Sequence, residues 1–138
     1  MPTTWKVKIY ADGADLKSMK ALAANPHVKG FTTNPSLVRK AGVTDYEAFA
    51  RETVAAIPNH PISFEVFADE NDEMEAQALE IATWGKNVYV KIPVTNTKGV
   101  STAPIISRLS RKGVALNITA LFTERQVLEV IDALDPAS

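Results

Sequence analysis

The sequence contains no cysteine, which excludes disulfides and thiolate metal sites and fits a reducing compartment. Its two histidines, His27 and His60, fall in loops ahead of strand-like runs and are expected at the surface. No Cys, His or carboxylate spacing resembles a zinc site. The six glycines stand singly, so neither a phosphate-cradling P-loop nor a dinucleotide fingerprint is present. Neither charge sign dominates: the net charge is −1 over 138 residues. Without a basic field, nucleic acid is not an expected partner. The first residues carry no apolar signal core, and no apolar run approaches the ~20 residues of a membrane span. A soluble cytoplasmic protein without a membrane partner is the expectation.

What is present is strand followed by helix, five times over, in a length that suits one domain over residues 1–138. Strands are expected over Trp5 to Ala11, Val28 to Thr33, Pro61 to Phe67, Asn87 to Ile92 and Val114 to Thr119. Asp15, Thr44 or Asp45, and Thr123 can each cap a helix. Pro35 and Pro104 suit first helical turns. Gly85 and Gly113 are expected to stop the helices before them. Successive strands start roughly two to three dozen residues apart, the scale of a βαβ unit. That rhythm argues a parallel sheet covered by helices, in a doubly wound fold or a barrel. A complete (β/α)8 barrel takes about 250 residues, and this chain has room for five units.

Strands buried on both faces read as continuous apolar runs, and these do not. One alternation face is aliphatic: Val7, Ile9, Ile62, Phe64, Val66, Val88, Val90, Ile92, Val114, Leu116 and Ile118. The other carries Lys8, Tyr10 and Asp12, then Thr32 and Asn34, Ser63 and Glu65, Tyr89 and Lys91, and Asn117 and Thr119. Helices would cover the aliphatic face, leaving the polar face to line a shared interior. The polar groups gather late in each strand, at the end where α/β folds place their sites.

Lys91, in Val88-Tyr89-Val90-Lys91-Ile92-Pro93, is the unusual member of that face. Burying an ammonium is costly unless it is paired. A buried lysine answers by lowering its pKa, which makes it a nucleophile. The plainer alternative is a lysine at a strand end with its charge in solvent or in an ion pair. A lysine among the carboxylates of Asp12 and Glu65 suits Schiff-base catalysis. The iminium formed on a ketone is an electron sink, a carboxylate takes the hydroxyl proton as the adjacent bond breaks, and Thr119 could hold the water exchanged.

Five stretches carry a resemblance. They are Ala11-Asp12-Gly13-Ala14-Asp15-Leu16, Gly30-Phe31-Thr32-Thr33-Asn34-Pro35-Ser36-Leu37, Ser63-Phe64-Glu65-Val66, Val90-Lys91-Ile92-Pro93-Val94-Thr95 and Asn117-Ile118-Thr119-Ala120-Leu121-Phe122-Thr123. In order and approximate spacing the chain resembles the transaldolase and fructose-6-phosphate aldolase family of class I aldolases. Thr-Thr-Asn-Pro-Ser and Val-Lys-Ile-Pro are the specific stretches.

The resemblance implies an α/β fold of the (β/α)8 barrel family, with about the first five βα units present. It implies Lys91 as the Schiff-base lysine on the fourth strand and Asp12 as the acid–base aspartate. Glu65 and Thr119 would position the water. Asn34 and Asn117 would bind substrate, with Thr32 grouped beside them. No cofactor or metal is implied. The partner would be a small sugar phosphate, in carbohydrate metabolism and the pentose phosphate pathway. Glu65, where fructose-6-phosphate aldolases usually carry Gln, leans toward transfer of a dihydroxyacetone unit between sugar phosphates. The alternatives are an aldolase-type C–C lyase, or a truncated barrel serving as a binding or assembly module.

Two departures stand out. Gly13 replaces the usual Thr, which is expected to loosen the turn after Asp12. The family's later strands, with a serine near the lysine and the groups that hold phosphate, have no counterpart, so a shortened version of a longer parent is expected. Arg39 and Arg125 are expected at the surface rather than as replacements. Five strands leave two open sheet edges, and exposed edges invite pairing, so homo-oligomerisation is expected.

Overall fold

The computed structural model describes residues 6–137. Five strands alternate with helices: β1 Ile9–Asp12, α1 Leu16–Ala23, β2 Val28–Thr32, α2 Pro35–Lys40, α3 Tyr46–Ala56, β3 Ile62–Glu65, α4 Asn71–Ala82, β4 Val88–Pro93, α5 Ala103–Arg111, β5 Leu116–Thr119 and α6 Glu124–Ala133. All strand pairs are parallel, and the sheet order is β1-β2-β3-β4-β5. A doubly wound sheet reverses its strand order to place helices on both faces. Here the order never reverses, and the sheet is a curled part of a (β/α) barrel.

Burial follows the alternation. Along β4, Val88, Val90 and Ile92 are buried, while Tyr89 is exposed and Lys91 half-buried. Ile62, Phe64 and Phe31 join them under the helices with Met74, Ala78, Ile81, Ile105 and Leu109. A smaller cluster of Val94, Ile106 and Val130 seats α6 on α5. Each buried aliphatic side chain contributes roughly 1.5–3 kcal/mol, so this outer layer, not the concave face, holds the sheet together.

Local signals set the helix ends. Asp15, Asn34 and Asp45 each accept a backbone N–H three residues on, at 2.9 Å. Thr123 and Gln126 form a reciprocal capping box at the start of α6. Gly113 has φ 77°, the left-handed stop expected after α5.

Several expectations need correction. Trp5 lies outside the described residues, and β1 begins only at Ile9. Val7 is 68% exposed: the pairing with β2 starts at Ile9, opposite Val28, so among the described residues no strand pairs with Val7. Likewise β3 and β5 are shorter than expected, starting at Ile62 and Leu116. His60 is half-buried, its ring edge-on to Phe31 at 5.7 Å. Gly85 is not the stop of α4, which ends with Thr83 as its cap. It is needed for close approach, since a Cβ there would lie 2.2 Å from Val54 Cγ1. Gly30 is similar: a Cβ would meet the Tyr10 ring at 2.2 Å. Among the described residues, no helix is long and apolar enough to cross a membrane.

Candidate active site

The carboxyl ends of β3 and β4 bring the lysine and a carboxylate together. Glu65 and Lys91 are register partners on adjacent parallel strands, so their side chains leave the same face side by side. Lys91 Nζ stands 3.6 Å from Glu65 Oε2, and the two side chains are 14% and 19% exposed. The ammonium also donates to the Thr33 carbonyl at 3.4 Å. The lysine is therefore neither splayed into solvent nor sealed away. Burial pushes the Glu65 carboxyl above the usual carboxylate range, and the neighbouring Lys91 charge opposes that rise.

Both side chains face an open cleft of about 710 Å³. Asn34, Pro35 and Ser36 form one wall, and Thr119, Ala120, Leu121 and Phe122 the other. Asn34 uses its side-chain oxygen to cap α2, which fixes the side chain and leaves its amide nitrogen for the cleft. Ala120 has φ 61°, a left-handed conformation rare for a residue with a Cβ. It turns the chain directly after Thr119, where Phe122 is 89% exposed.

The remaining candidates sit apart from this cleft. Asp12 is exposed and accepts the Thr32 hydroxyl at 2.9 Å. Gly13 N–H donates to the Thr32 carbonyl at 3.2 Å, so the turn is tied to β2 on both sides of that aspartate. Asn117 donates to the Ser63 hydroxyl at 3.0 Å. It lines an adjoining hollow of about 300 Å³ with Tyr10, Thr32, Ser63 and Tyr89. The structure thus gathers Lys91, Glu65, Thr119 and Asn34 around one cleft. Thr32 and Asn117 lie in the adjoining hollow, and Asp12 is held at its edge by Thr32.

Two residues that hold the site were not singled out from the sequence. Thr33 is fully buried, its hydroxyl donating to the Ser63 carbonyl at 2.8 Å while its own carbonyl faces Lys91. Tyr46, the first residue of α3, accepts the Glu65 N–H at 3.0 Å and donates to the Glu65 carbonyl at 3.3 Å. In sequence Tyr46 is one apolar position on an amphipathic helix, and nothing local marks its hydroxyl. Thr33 sits in the specific Thr-Thr-Asn-Pro-Ser stretch, the one signal that could have drawn attention to it.

Among the described residues lining the cleft, Lys91 is the only cation. Arg39 and Arg125 are exposed, as expected. Among the described residues, no group of three or more His, Asp or Glu is placed to hold a metal ion.

Comparison with known proteins agrees with this arrangement of strands and motifs. The chain matches the transaldolase/fructose-6-phosphate aldolase family over residues 9–138. It is 40% identical over 122 residues to a probable transaldolase of Dehalococcoides mccartyi, covering 88% of this chain and 55% of that protein. A probable transaldolase of Roseiflexus castenholzii is 38% identical over 122 residues, 88% of this chain and 54% of the relative. One from Streptococcus agalactiae is 36% identical over 127 residues, 92% and 56% respectively. The chain spans about half the length of these curated relatives. With five parallel strands in barrel order and a match over nearly all its residues, the chain belongs to the transaldolase/fructose-6-phosphate aldolase family.

Proposed function

We propose that the protein carries out Schiff-base aldol chemistry on Lys91, transferring a dihydroxyacetone unit between sugar phosphates. The observation that carries this reading is the half-buried Lys91 ammonium 3.6 Å from Glu65, open to one cleft.

The free amine of Lys91 adds to the ketone carbon of a ketose. The carbinolamine oxygen leaves as water, taking one proton from the amine and one from Glu65, and an iminium remains. A carboxyl held high by burial suits that donation. The carbon–carbon bond beyond the adjacent carbon then breaks, and its electron pair moves into the iminium to give an enamine. The hydroxyl on the departing carbon gives its proton to Asp12, and an aldehyde leaves. The enamine attacks the carbonyl of a second aldehyde, whose oxygen takes that proton back. Water held between Glu65 and Thr119 then hydrolyses the imine and frees Lys91. Asn34 and Asn117 bind the sugar hydroxyls.

Incubation with fructose 6-phosphate or dihydroxyacetone, followed by borohydride, tests the reading. A reduced adduct on the Lys91 peptide is expected, and its absence from a folded sample would end the proposal. A second reading, a barrel segment that binds or assembles without turnover, is favoured by one observation. Among the described residues lining the cleft, Lys91 is the one cation that could hold a phosphate. Adduct formation with no aldehyde exchange would support it.

Among the described residues, the outer edges of β1 and β5 have no strand beside them. We infer that they pair with further copies of the chain. Light scattering is expected to give a mass above one chain, and a strict monomer would exclude this.

A further inference from the structure

We propose that Tyr46 is a positioning residue for Lys91, holding in place the end of β3 whose Glu65 carboxylate pairs with its ammonium. The inference rests on the Schiff-base reading for its catalytic consequence, though not for its geometry. The Lys91 ammonium donates to the Thr33 carbonyl at 3.4 Å and forms an ion pair with the Glu65 carboxylate at 3.6 Å. The Tyr46 hydroxyl is bonded to the backbone of Glu65. It takes the Glu65 N–H at 3.0 Å and gives to the Glu65 carbonyl at 3.3 Å.

The need for this phenol follows from the sheet. Along β2 and β3 the ladder runs as far as Thr33, whose N–H donates to the Ser63 carbonyl at 3.0 Å. Beyond it the chain turns at Asn34 into α2, and Pro35 has no N–H to offer. The N–H and carbonyl of Glu65 that face β2 therefore have no strand to pair with. A backbone group buried there without a partner would be destabilising. Tyr46 takes the place of the missing strand, satisfying a donor and an acceptor with one hydroxyl. The end of β3 then keeps its strand conformation where Glu65 must reach Lys91.

The phenol suits a fixed role. Its ring is clamped edge-on by Phe67 at 4.6 Å, Trp84 at 5.5 Å and Phe64 at 6.0 Å. Burial pushes its pKa up to about 12, so it keeps the proton it donates. It lies on the helix side of the sheet and does not line the substrate cleft. Its effect on chemistry is exerted through Glu65.

The test measures Lys91 directly. Competitive acetylation across a pH series, read on the Lys91 peptide by mass spectrometry, gives the pH at which the amine is half labelled. In Tyr46→Phe the Glu65 carboxylate loses its fixed place. That pH is expected to fall by about half a unit or more, because a less well placed anion favours the ammonium less. The borohydride trapping rate is expected to fall about tenfold, the scale on which small misplacements act, with the half-saturating ketone concentration unchanged. Trp84→Phe, altering the same aromatic cluster without touching Glu65, is expected to leave the labelling midpoint in place. An unmoved midpoint in Tyr46→Phe, or an equal shift in Trp84→Phe, would overturn the proposal. If Tyr46→Phe does not fold, 3-fluorotyrosine at position 46 weakens the acceptor in a folded chain, and the same midpoint decides. A shifted midpoint with no trapping in the unsubstituted protein would retain Tyr46 as the positioning residue and remove the Schiff-base reading instead.

Discussion

Lys91 and Glu65 face each other across adjacent parallel strands, 3.6 Å apart, each with less than one fifth of its side chain exposed. This is an ion pair at the mouth of a cleft, between the fully solvated pair that contributes almost nothing and the sealed pair whose desolvation is ruinous. A double-mutant cycle with Lys91→Met and Glu65→Gln is expected to give a coupling of about 1 kcal/mol. Urea midpoints of the four proteins measure it. A coupling of zero would mean that the two groups do not sense each other.

Glu65 also makes stability depend on pH. Its folded pKa is raised, by burial first and against the Lys91 charge. Between its ordinary 4.5 and the higher folded value, the folded chain holds more of this proton than the unfolded chain. Stability from this group is therefore greatest below that window and falls as pH rises through it. Glu65→Gln cannot ionise, so its stability-against-pH curve should be flatter than that of the unsubstituted protein from pH 4.5 upward. Denaturation at a series of pH values distinguishes the two curves, and parallel curves would contradict the assignment.

Thr32 holds Asp12 by a hydroxyl bond of 2.9 Å. If Asp12 takes the hydroxyl proton during bond cleavage, Thr32→Val should slow that step and spare imine formation. Borohydride trapping should proceed as before, while aldehyde release falls about tenfold. Equal losses in both would place Thr32 in binding instead.

Gly85 leaves room for Val54, and a Cβ would come within 2.2 Å of Val54 Cγ1. Gly85→Ala is expected to cost about 1–3 kcal/mol by overpacking. The double variant with Val54→Ala should recover part of that loss, measured by urea midpoint. No recovery would mean that the glycine is required by its backbone instead.

Much of the layout was legible before any coordinates. Asp15, Thr44 or Asp45, and Thr123 marked helix starts because a side-chain oxygen three residues ahead of an unpaired N–H is a local device, and the structure selects Asp45. The parity of Val88, Val90 and Ile92 against Tyr89 and Lys91 told which face would be buried, because strand side chains alternate whatever the strand pairs with. Edges were less legible. Val7 reads as strand, yet β1 starts only where β2 offers a partner. Gly85 reads as a helix stop, and only the approach of α3 reveals why a side chain is excluded there.

The site divides the same way. Its residue types and their order along the chain were determined by sequence alone, since Asp12, Asn34, Glu65, Lys91, Asn117 and Thr119 all fall on one alternation face near strand ends. Which of them meet was decided by the sheet register and curl. These place Glu65 beside Lys91, send Asn117 to Ser63 and leave Asp12 with Thr32. Tyr46 and Thr33 entered only with the tertiary structure. The Tyr46 hydroxyl meets the Glu65 backbone groups left bare where β2 turns away from β3, and that vacancy exists only once the strands are side by side.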